Sequence, residues 1–276
     1  TSLVIHTLYQ NVLHKLNTKE KSDKWAYCQN ITGTKDLDTV LLISRSPLAK
    51  TSVSMPATYL KVFTEVRNLF SSLPAAKMLG LSASDFSLRS SAGRCKECKG
   101  QGTVVLTMKF LEDAKIKCSN CQGKRFQDHI LSVRYKNLSI ADVLDLTIDE
   151  VCQLFKNIKK ITNKLEPSQL LGLGYLKLGQ TSNSLSGGEA QRLKLAPYIM
   201  QAKTESTLLI IDEPTRGLHE YDVKLLMIAL KKIVEKGTTI ILTEHHKELI
   251  KQADWVIDIG PHAAEDGGQL LYEGPS

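Results

Sequence analysis

The sequence predicts an α/β fold with a mainly parallel sheet and a cysteine-rich module inserted in a helical region. Three observations predict it. Short apolar strands alternate with helices in the last third of the chain, four cysteines occur as two spaced pairs, and the composition is that of a globular protein. Hydrophobic residues make up 42% and charged residues 24% of the 276 residues, which excludes a disordered or collagen-like chain.

Hydrophobic periodicity assigns the elements in order. The apolar positions predict helices over residues 3–16, 58–70, 140–144, 148–158, 221–235 and 245–252. Short β-branched or apolar runs predict strands over residues 39–43, 103–110, 208–211, 238–242 and 255–259. Because the last three strands alternate with the last two helices, we expect a parallel sheet with crossover connections.

Two features bear on the setting of the protein. The most apolar run, residues 208–211, is closed by Asp212, so nothing approaches the roughly 18 apolar residues of a membrane span. No basic segment leads into an apolar one at the amino terminus. We therefore expect no membrane association and a cytoplasmic location, where cysteines stay reduced.

The charge is unevenly distributed. The net charge is +7, and residues 89–136 hold eleven basic side chains against four acidic ones, so this region accounts for the whole excess. A concentrated basic region is typical of proteins that contact nucleic acid, although a solvated face would have the same composition.

The cysteines form a regular pattern. Cys95 and Cys98 are separated by two residues, and nineteen residues later Cys118 and Cys121 repeat that spacing, which predicts a four-thiolate Zn²⁺ site of the ribbon or hairpin type. The alternative is four buried thiols without a metal. We predict that the basic residues flanking the two pairs contact nucleic-acid phosphates: Arg94, Lys96, Lys99, Lys124 and Arg125.

Two further motifs lie near the carboxyl end. The first is Leu-Ser186-Gly187-Gly188-Glu189 at the start of a helix, where a hydroxyl and free N–H groups can bind an anion; an ordinary helix cap is the alternative. In the second, the apolar run 208–211 ends in Asp212 and Glu213. One acid is placed to hold Mg²⁺ and the next to polarise water, although a strand that simply meets an acidic turn would look the same.

Several motifs occur in one order along the chain: Cys-x2-Cys-x-Gly-x-Gly, Leu-Gly-Leu-Gly-Tyr, Leu-Ser-Gly-Gly-Glu-Ala-Gln-Arg, Asp-Glu-Pro-Thr, Gly-Leu-His and Ala-Asp-Trp-Val-Ile-Asp-Ile-Gly-Pro. With these motifs the chain resembles, over nearly its whole length, the carboxyl-terminal nucleotide-binding half of the UvrA family. These are the damage-sensing ATP-binding-cassette ATPases of bacterial nucleotide excision repair. The resemblance implies an ATP-binding-cassette fold of the P-loop NTPase type, with an inserted helical signature domain and a zinc-ribbon module.

The resemblance also implies roles for residues, with ATP, Mg²⁺ and Zn²⁺ as cofactors. Asp212 matches the acid that organises Mg²⁺, Glu213 the general base, and His245 the switch histidine that contacts the γ-phosphate. Ser186, Gly187, Gly188 and Glu189 form the signature segment, which completes a site whose phosphate loop lies on another nucleotide-binding unit. Thr1 and Ser2 stand just after the position of the phosphate-loop lysine, so we expect this chain to be a fragment that does not hydrolyse ATP alone.

The same resemblance divides the chain into three parts. Residues 1–57 correspond to the first part of the ATP-binding lobe, residues 58–180 to the helical region with the zinc module at about 89–136, and residues 181–276 to the rest of the lobe. It implies damaged duplex DNA, the helicase-like subunit UvrB and a second copy of the full-length protein as partners.

Three departures from the family pattern stand out. Arg45 occupies the position of the Gln that contacts Mg²⁺ and the attacking water, and Arg216 replaces a small polar residue. Pro197 should kink or end the signature helix. A second hypothesis is therefore a diverged, non-hydrolysing copy that serves as a zinc-containing DNA-binding or regulatory module.

A third, more remote hypothesis is a zinc module like that of J-domain chaperones, of which only one Cys-x2-Cys-x-Gly-x-Gly unit is present.

Overall fold

The structure of the protein, a computed structural model, describes residues 2–17, 27–44, 48, 54–106, 114–200, 206–261 and 268–276. The α-helices are α1 (Gln10–Asn17), α2 (Pro56–Tyr59), α3 (Val62–Ser72), α4 (Pro74–Met78), α5 (Asp128–Leu131), α6 (Ile140–Asp145), α7 (Ile148–Leu154), α8 (Lys159–Leu170), α9 (Gly187–Met200), α10 (Glu220–Val234) and α11 (Lys247–Ile250). The strands are β1 (Thr39–Ile43), β2 (Thr103–Leu106), β3 (Ala114–Lys117), β4 (Thr207–Asp212), β5 (Thr239–Thr243), β6 (Val256–Gly260) and β7 (Gln269–Gly274).

The chain forms two compact units. Unit 1 consists of Thr1–Arg45 and Gln201–Ser276, and unit 2 of Ser46–Met200. In unit 1 a three-stranded parallel sheet has the order β1-β4-β5. The parallel pairing of β4 and β5 is as predicted, whereas the apolar runs gave no strand order and did not place β1 in this sheet. The central strand β4 is buried along residues 208–211, because a parallel strand with neighbours on both sides must be apolar on both faces.

The register of this sheet brings two strand ends together. Asp212, the last residue of β4, stands opposite Thr243, the last residue of β5. Because both strands run in the same direction, the residues that follow them emerge at one edge of the sheet. We call this edge, with Glu213, Thr215, Glu244 and His245, the acidic edge.

The third strand of the predicted alternation does not join the parallel sheet. Among the described residues, β6 pairs only with β7, and the pairing is antiparallel. The connection between them, residues 261–268, is too short for a parallel crossover, which needs a dozen or more residues. The expectation that the third strand extends the parallel sheet is therefore wrong.

Unit 2 is helical around a core that includes Phe70, Phe86 and Phe155. The predicted helix over 58–70 is divided into α2 and α3, because Lys61 adopts a left-handed backbone conformation with φ 55°. Helix α8 was not predicted. Its sequence is rich in polar residues and contains Pro167, which reads as a helix boundary.

Helix α9 starts directly after Ser186 and continues to Met200 with Pro197 inside it. Of the two predicted effects of Pro197, a kink or an end of the helix, the second does not occur, although the missing N–H still removes one helical hydrogen bond. Between α4 and α5, strands β2 and β3 pair antiparallel, in agreement with the ribbon or hairpin predicted between the cysteine pairs. Residues 107–110 of the predicted strand lie outside the described residues. No helix in the described part of the chain is both long and apolar enough to cross a membrane.

Candidate functional sites: the acidic edge and the four-cysteine centre

The acidic edge begins at Asp212. Its carboxylate accepts a hydrogen bond from the Thr243 hydroxyl at 2.6 Å, so the neighbouring strand fixes the orientation of the side chain. A carboxylate at the end of a buried strand is an oxygen donor of the kind that Mg²⁺ prefers. The position of Asp212 thus fits the metal-organising role predicted for it.

Glu213 follows immediately in an unusual backbone conformation. Its φ is 43°, in the left-handed region that residues other than glycine rarely adopt. The Glu213 N–H donates to the Thr243 carbonyl at 3.0 Å and lies 3.2 Å from its hydroxyl. The carboxylate pairs with Arg216 at 3.2 Å, so the candidate base faces a cation that the motif does not predict. Strained backbone of this kind occurs at functional sites.

Glu244 joins two loops at this edge. One carboxylate oxygen accepts from the Thr215 N–H and hydroxyl, and the other accepts from the N–H groups of His245 and His246. Burial would raise the pKa of Glu244, but the hydrogen bonds from Thr215 and the two histidines hold it below its ordinary value. The residue is therefore an ionised bridge, and the exposed side chain of His245 projects from the loop that it holds.

In unit 2 the signature segment opens α9. The Ser186 hydroxyl accepts from the Glu189 N–H at 3.2 Å, and the Ser186 N–H donates to the Glu189 carboxylate at 2.6 Å. This reciprocal pair is a capping box. Glu189 also accepts from the Tyr175 hydroxyl at 2.7 Å, which ties the segment to the Leu-Gly-Leu-Gly-Tyr motif. Ser186 and Gly187 are exposed at the positive end of the helix dipole, where an anion can approach.

The four cysteines form one centre with metal-site dimensions. All four are buried, and their sulfur atoms lie within 4.8 Å of one another. The Sγ atoms of Cys95 and Cys118 are 3.9 Å apart, and those of Cys98 and Cys121 are 3.6 Å apart. A tetrahedral Zn²⁺ with Zn–S bonds of ~2.3 Å places its sulfur ligands about 3.8 Å apart. The donor set and spacing therefore fit a structural zinc ion.

Backbone donors support thiolates at this centre. The Gly102 N–H lies 3.2 Å from the Cys98 sulfur, and the Arg125 N–H lies 3.4 Å from that of Cys121. In the absence of a cation, burial raises the pKa of the Cys121 thiol to about 12. Gly102 adopts φ +77°, and a Cβ there would lie 2.8 Å from the Gly123 carbonyl oxygen. The knuckle therefore requires glycine at this position.

The flanking basic residues differ in where they point. Lys96, Lys99 and Lys124 are exposed, whereas Arg94 and Arg125 are half-buried. The Arg125 guanidinium donates to the Gly179 carbonyl at 2.9 Å, and burial lowers its pKa below the ordinary value. Arg125 thus has an internal role that the charge pattern alone did not predict.

Some predicted residues cannot be placed. Thr1 and Arg45 lie outside the described residues, and Ser2 is exposed at the start of the π-helical segment Leu3–Tyr9. Conversely, sequence reasoning missed Glu244, Thr243 and Tyr175. The one sequence signal that pointed to Glu244 was its position directly before His245. The contact between Glu244 and Thr215 follows from the register of the strands and could not be predicted from that position.

Comparison with known proteins gives consistent results, although no protein-family model matches. The chain is 40% identical over 274 residues to UvrABC system protein A of Mycoplasmopsis pulmonis and 42% identical over 274 residues to that of Methanothermobacter thermautotrophicus. Each alignment covers 99% of this chain but only 29% and 28% of the relative. The chain thus spans less than a third of the length of these relatives.

A solved structure shows the same fold. UvrA2 from Deinococcus radiodurans is 41% identical and superposes with a TM-score of 0.81, covering 87% of this chain and 29% of its own. The predicted fold class, an ATP-binding-cassette α/β fold with a helical insertion and a four-cysteine module, is confirmed.

Proposed function

Because this chain is homologous over nearly its whole length to a segment of the UvrA family, we propose that it is the carboxyl-terminal nucleotide-binding half of an ATPase subunit that recognises damaged DNA in nucleotide excision repair. The observation that carries the proposal is one continuous match of 274 residues. A match of that length takes in the acidic edge, the signature segment and the four-cysteine centre together.

At the acidic edge, each residue has a distinct task. Asp212, oriented by Thr243, would hold Mg²⁺, and Glu213 would orient and polarise the attacking water. Mg²⁺ supplies neutralisation of the charge on the phosphates. His245 is exposed on the loop that follows β5 and would contact the γ-phosphate. The resemblance to the family assigns Arg45 to the metal and Thr1 and Ser2 to the phosphate loop, although Thr1 and Arg45 lie outside the described residues.

The signature segment would act on a nucleotide held by a different nucleotide-binding unit. The Ser186 hydroxyl accepts from the Glu189 N–H, which leaves its own proton to donate to a phosphate oxygen. Gly187 and Gly188 add N–H groups at the helix start, where the dipole favours an anion. A complete site therefore needs a second nucleotide-binding unit, which the other half of the same full-length protein can supply. The dimer of the full-length protein is proposed from the resemblance to the UvrA family and not from this site.

The four-cysteine centre would hold Zn²⁺ and present basic side chains to DNA. Lys96, Lys99 and Lys124 are exposed beside the buried cysteines, so a metal that fixes the knuckles also fixes the backbone that carries these side chains. Arg94 and Arg125 belong to the same predicted contact set. We place the protein in the cytoplasm, with duplex DNA containing a lesion and UvrB as partners.

The test uses the full-length protein that carries this segment. ATP hydrolysis should increase when a duplex with a bulky lesion is added, and an undamaged duplex should increase it less. Lys96→Ala with Lys99→Ala should weaken DNA binding and reduce the log–log salt slope by about one per residue. The matched control, Lys159→Ala with Lys160→Ala on the exposed side of α8, should leave the slope unchanged. Equal slopes for both pairs would assign the basic residues to a solvated face.

The chain of 276 residues should not turn over ATP by itself. Its printed sequence contains no Gly-x4-Gly-Lys-Ser/Thr loop, so nothing in it would cradle the phosphates against Asp212 and Glu213. Purified chain at saturating Mg²⁺-ATP, compared with Glu213→Gln, checks this. Steady turnover that disappears in Glu213→Gln would contradict the expectation.

A second candidate function is a non-hydrolysing copy that binds DNA or regulates. For this alternative to hold, the Glu213–Arg216 ion pair would have to withhold the base from water, but the Arg216 side chain is 71% exposed and such a pair is weak. A single-turnover assay on the full-length protein separates the two functions. If this half is inactive for that reason, Arg216→Ser should restore hydrolysis at its site.

A further inference from the structure

The acidic edge contains a carboxylate that the proposed mechanism does not use. Glu244 is half-buried, and its two oxygens accept four hydrogen bonds. Oε1 accepts from the Thr215 N–H at 2.8 Å and from the Thr215 hydroxyl at 2.5 Å. Oε2 accepts from the N–H of His245 at 2.8 Å and from that of His246 at 3.0 Å.

The division of these bonds is informative. Each oxygen serves a different loop, one after β4 and one after β5, and Thr215 lies 29 residues from Glu244 in sequence. The Thr215 loop begins at Glu213, whose N–H also bonds to Thr243. A shift of either loop would therefore have to break charge-assisted hydrogen bonds.

We propose that Glu244 is a positioning residue that fixes the backbone of His245 relative to the loop that carries Glu213. The inference rests on the proposed function of this edge as an ATP-hydrolysing site. Glu244 touches neither nucleotide nor water in this role. It acts through the two loops, and it makes the position of the histidine that senses the γ-phosphate depend on the loop that starts with the base.

The chemistry of the carboxylate is specific. An amide has one acceptor oxygen and one NH₂ donor, so in Glu244→Gln the NH₂ must face either the N–H groups of His245 and His246 or the N–H of Thr215. The substituted side chain keeps the shape of glutamate, but its hydrogen bonds to the backbone of one of the two loops are lost. Thr215→Val removes only the hydroxyl donor, while Thr215→Ser keeps it and serves as the conservative control.

The experiment measures ATP hydrolysis at this site, in the full-length protein with its other nucleotide-binding half made inactive. It also measures amide hydrogen exchange at residues 213–216 and 244–247. Glu244→Gln should lower kcat about tenfold or more with little change in KM, because alignment rather than nucleotide binding is lost. Thr215→Val should lower kcat less, and Thr215→Ser should restore it. The effects of Glu244→Gln and Thr215→Val should be non-additive in the double variant, because both disrupt one bridge.

Exchange identifies the cause of each outcome. In Glu244→Gln the amide protection of His245 or Thr215 should fall while that of strand β4 stays unchanged. Unchanged kcat and unchanged protection in Glu244→Gln, with hydrolysis abolished in Glu213→Gln, would overturn the inference and leave the proposed function intact. If the unsubstituted protein does not hydrolyse ATP, the proposed function fails at this site, and undiminished protection of both loops would overturn the bridge as well. If Glu244→Gln fails to fold, Thr215→Val against Thr215→Ser decides the same question.

Discussion

The four-cysteine centre and the acidic edge span similar lengths of chain but differ in what holds their parts in place. All four cysteines lie within residues 95–121, and the N–H groups that face the sulfurs come from Gly102 and Arg125. At the acidic edge, Asp212 is held by Thr243 and Thr215 by Glu244, each partner about thirty residues away. In the first site each cysteine pair lies in one short knuckle, whose own backbone N–H group four residues further on faces a sulfur atom. The second site exists only when two parallel strands are in register.

The largest expected effect is that of removing a metal ligand, which should affect the four-cysteine centre and leave the acidic edge unchanged. Cys118→Ser should disorder the segment from Arg94 to Phe126, since a structural zinc contributes roughly 10 kcal/mol or more to local folding. The sheet around β4 in unit 1 should stay protected, because it shares no ligand with the centre. Zinc analysis and hydrogen exchange measure both effects, with Cys152→Ser outside the centre as control. Equal loss of protection in both units would show that the centre is not locally determined.

The next effect concerns the acidic edge alone. In the full-length protein with its other nucleotide-binding half made inactive, Glu213→Gln should lower the hydrolysis rate by about 10²–10⁴-fold, the range for loss of a general base. Binding of DNA at the zinc module should change little. Glu248→Gln, which alters an exposed acid paired with Lys251, is the matched control. A rate unchanged in Glu213→Gln would remove this residue from the chemistry.

A third prediction sharpens the local side of the comparison. Gly102→Ala should destabilise the module by about 2 kcal/mol more than Gly123→Ala, because only the first adds a clash to the cost of a positive φ. A Cβ at Gly102 would meet the Gly123 carbonyl oxygen at 2.8 Å, whereas a Cβ at Gly123 has nothing within 4 Å. Zinc affinity and thermal unfolding of the two variants test the difference. Similar values for both would mean that the knuckle adapts.

The smallest expected effect is on the pKa of Asp142, whose hydrogen-bond partner Ser139 is only three residues away in sequence. Burial would raise the pKa of Asp142, but hydrogen bonds from the Ser139 hydroxyl and N–H at the start of α6 hold it below 3.8. Since this pKa is depressed by folding, its contribution to stability is complete above about pH 4 and is lost as pH falls through the folded value. NMR titration should show that Ser139→Ala raises the pKa of Asp142, while Ser72→Ala on α3 does not. An unmoved pKa in Ser139→Ala would assign the shift to another group.

The same contrast explains what the sequence could predict. The cysteine spacing is local, so it predicted the centre directly, and the apolar run 208–211 predicted the buried strand because both its faces are covered. The sequence did not indicate helix α8, whose polar residues and Pro167 obscure helical periodicity. It also did not indicate Glu244, because the bond to Thr215 arises from the register of β4 and β5. The roles of Asp212, Glu213 and His245 remain predictions.

The backbone of Glu213 has a consequence for protein engineering. A glutamate at φ 43° costs on the order of 1 kcal/mol that Asn, which tolerates this region, would largely avoid. A screen that selects only for heat resistance would therefore favour replacing the residue that we assign to hydrolysis. Thermostability and turnover would be traded against each other at this single position, and a stabilised variant should be checked for catalysis before it is used.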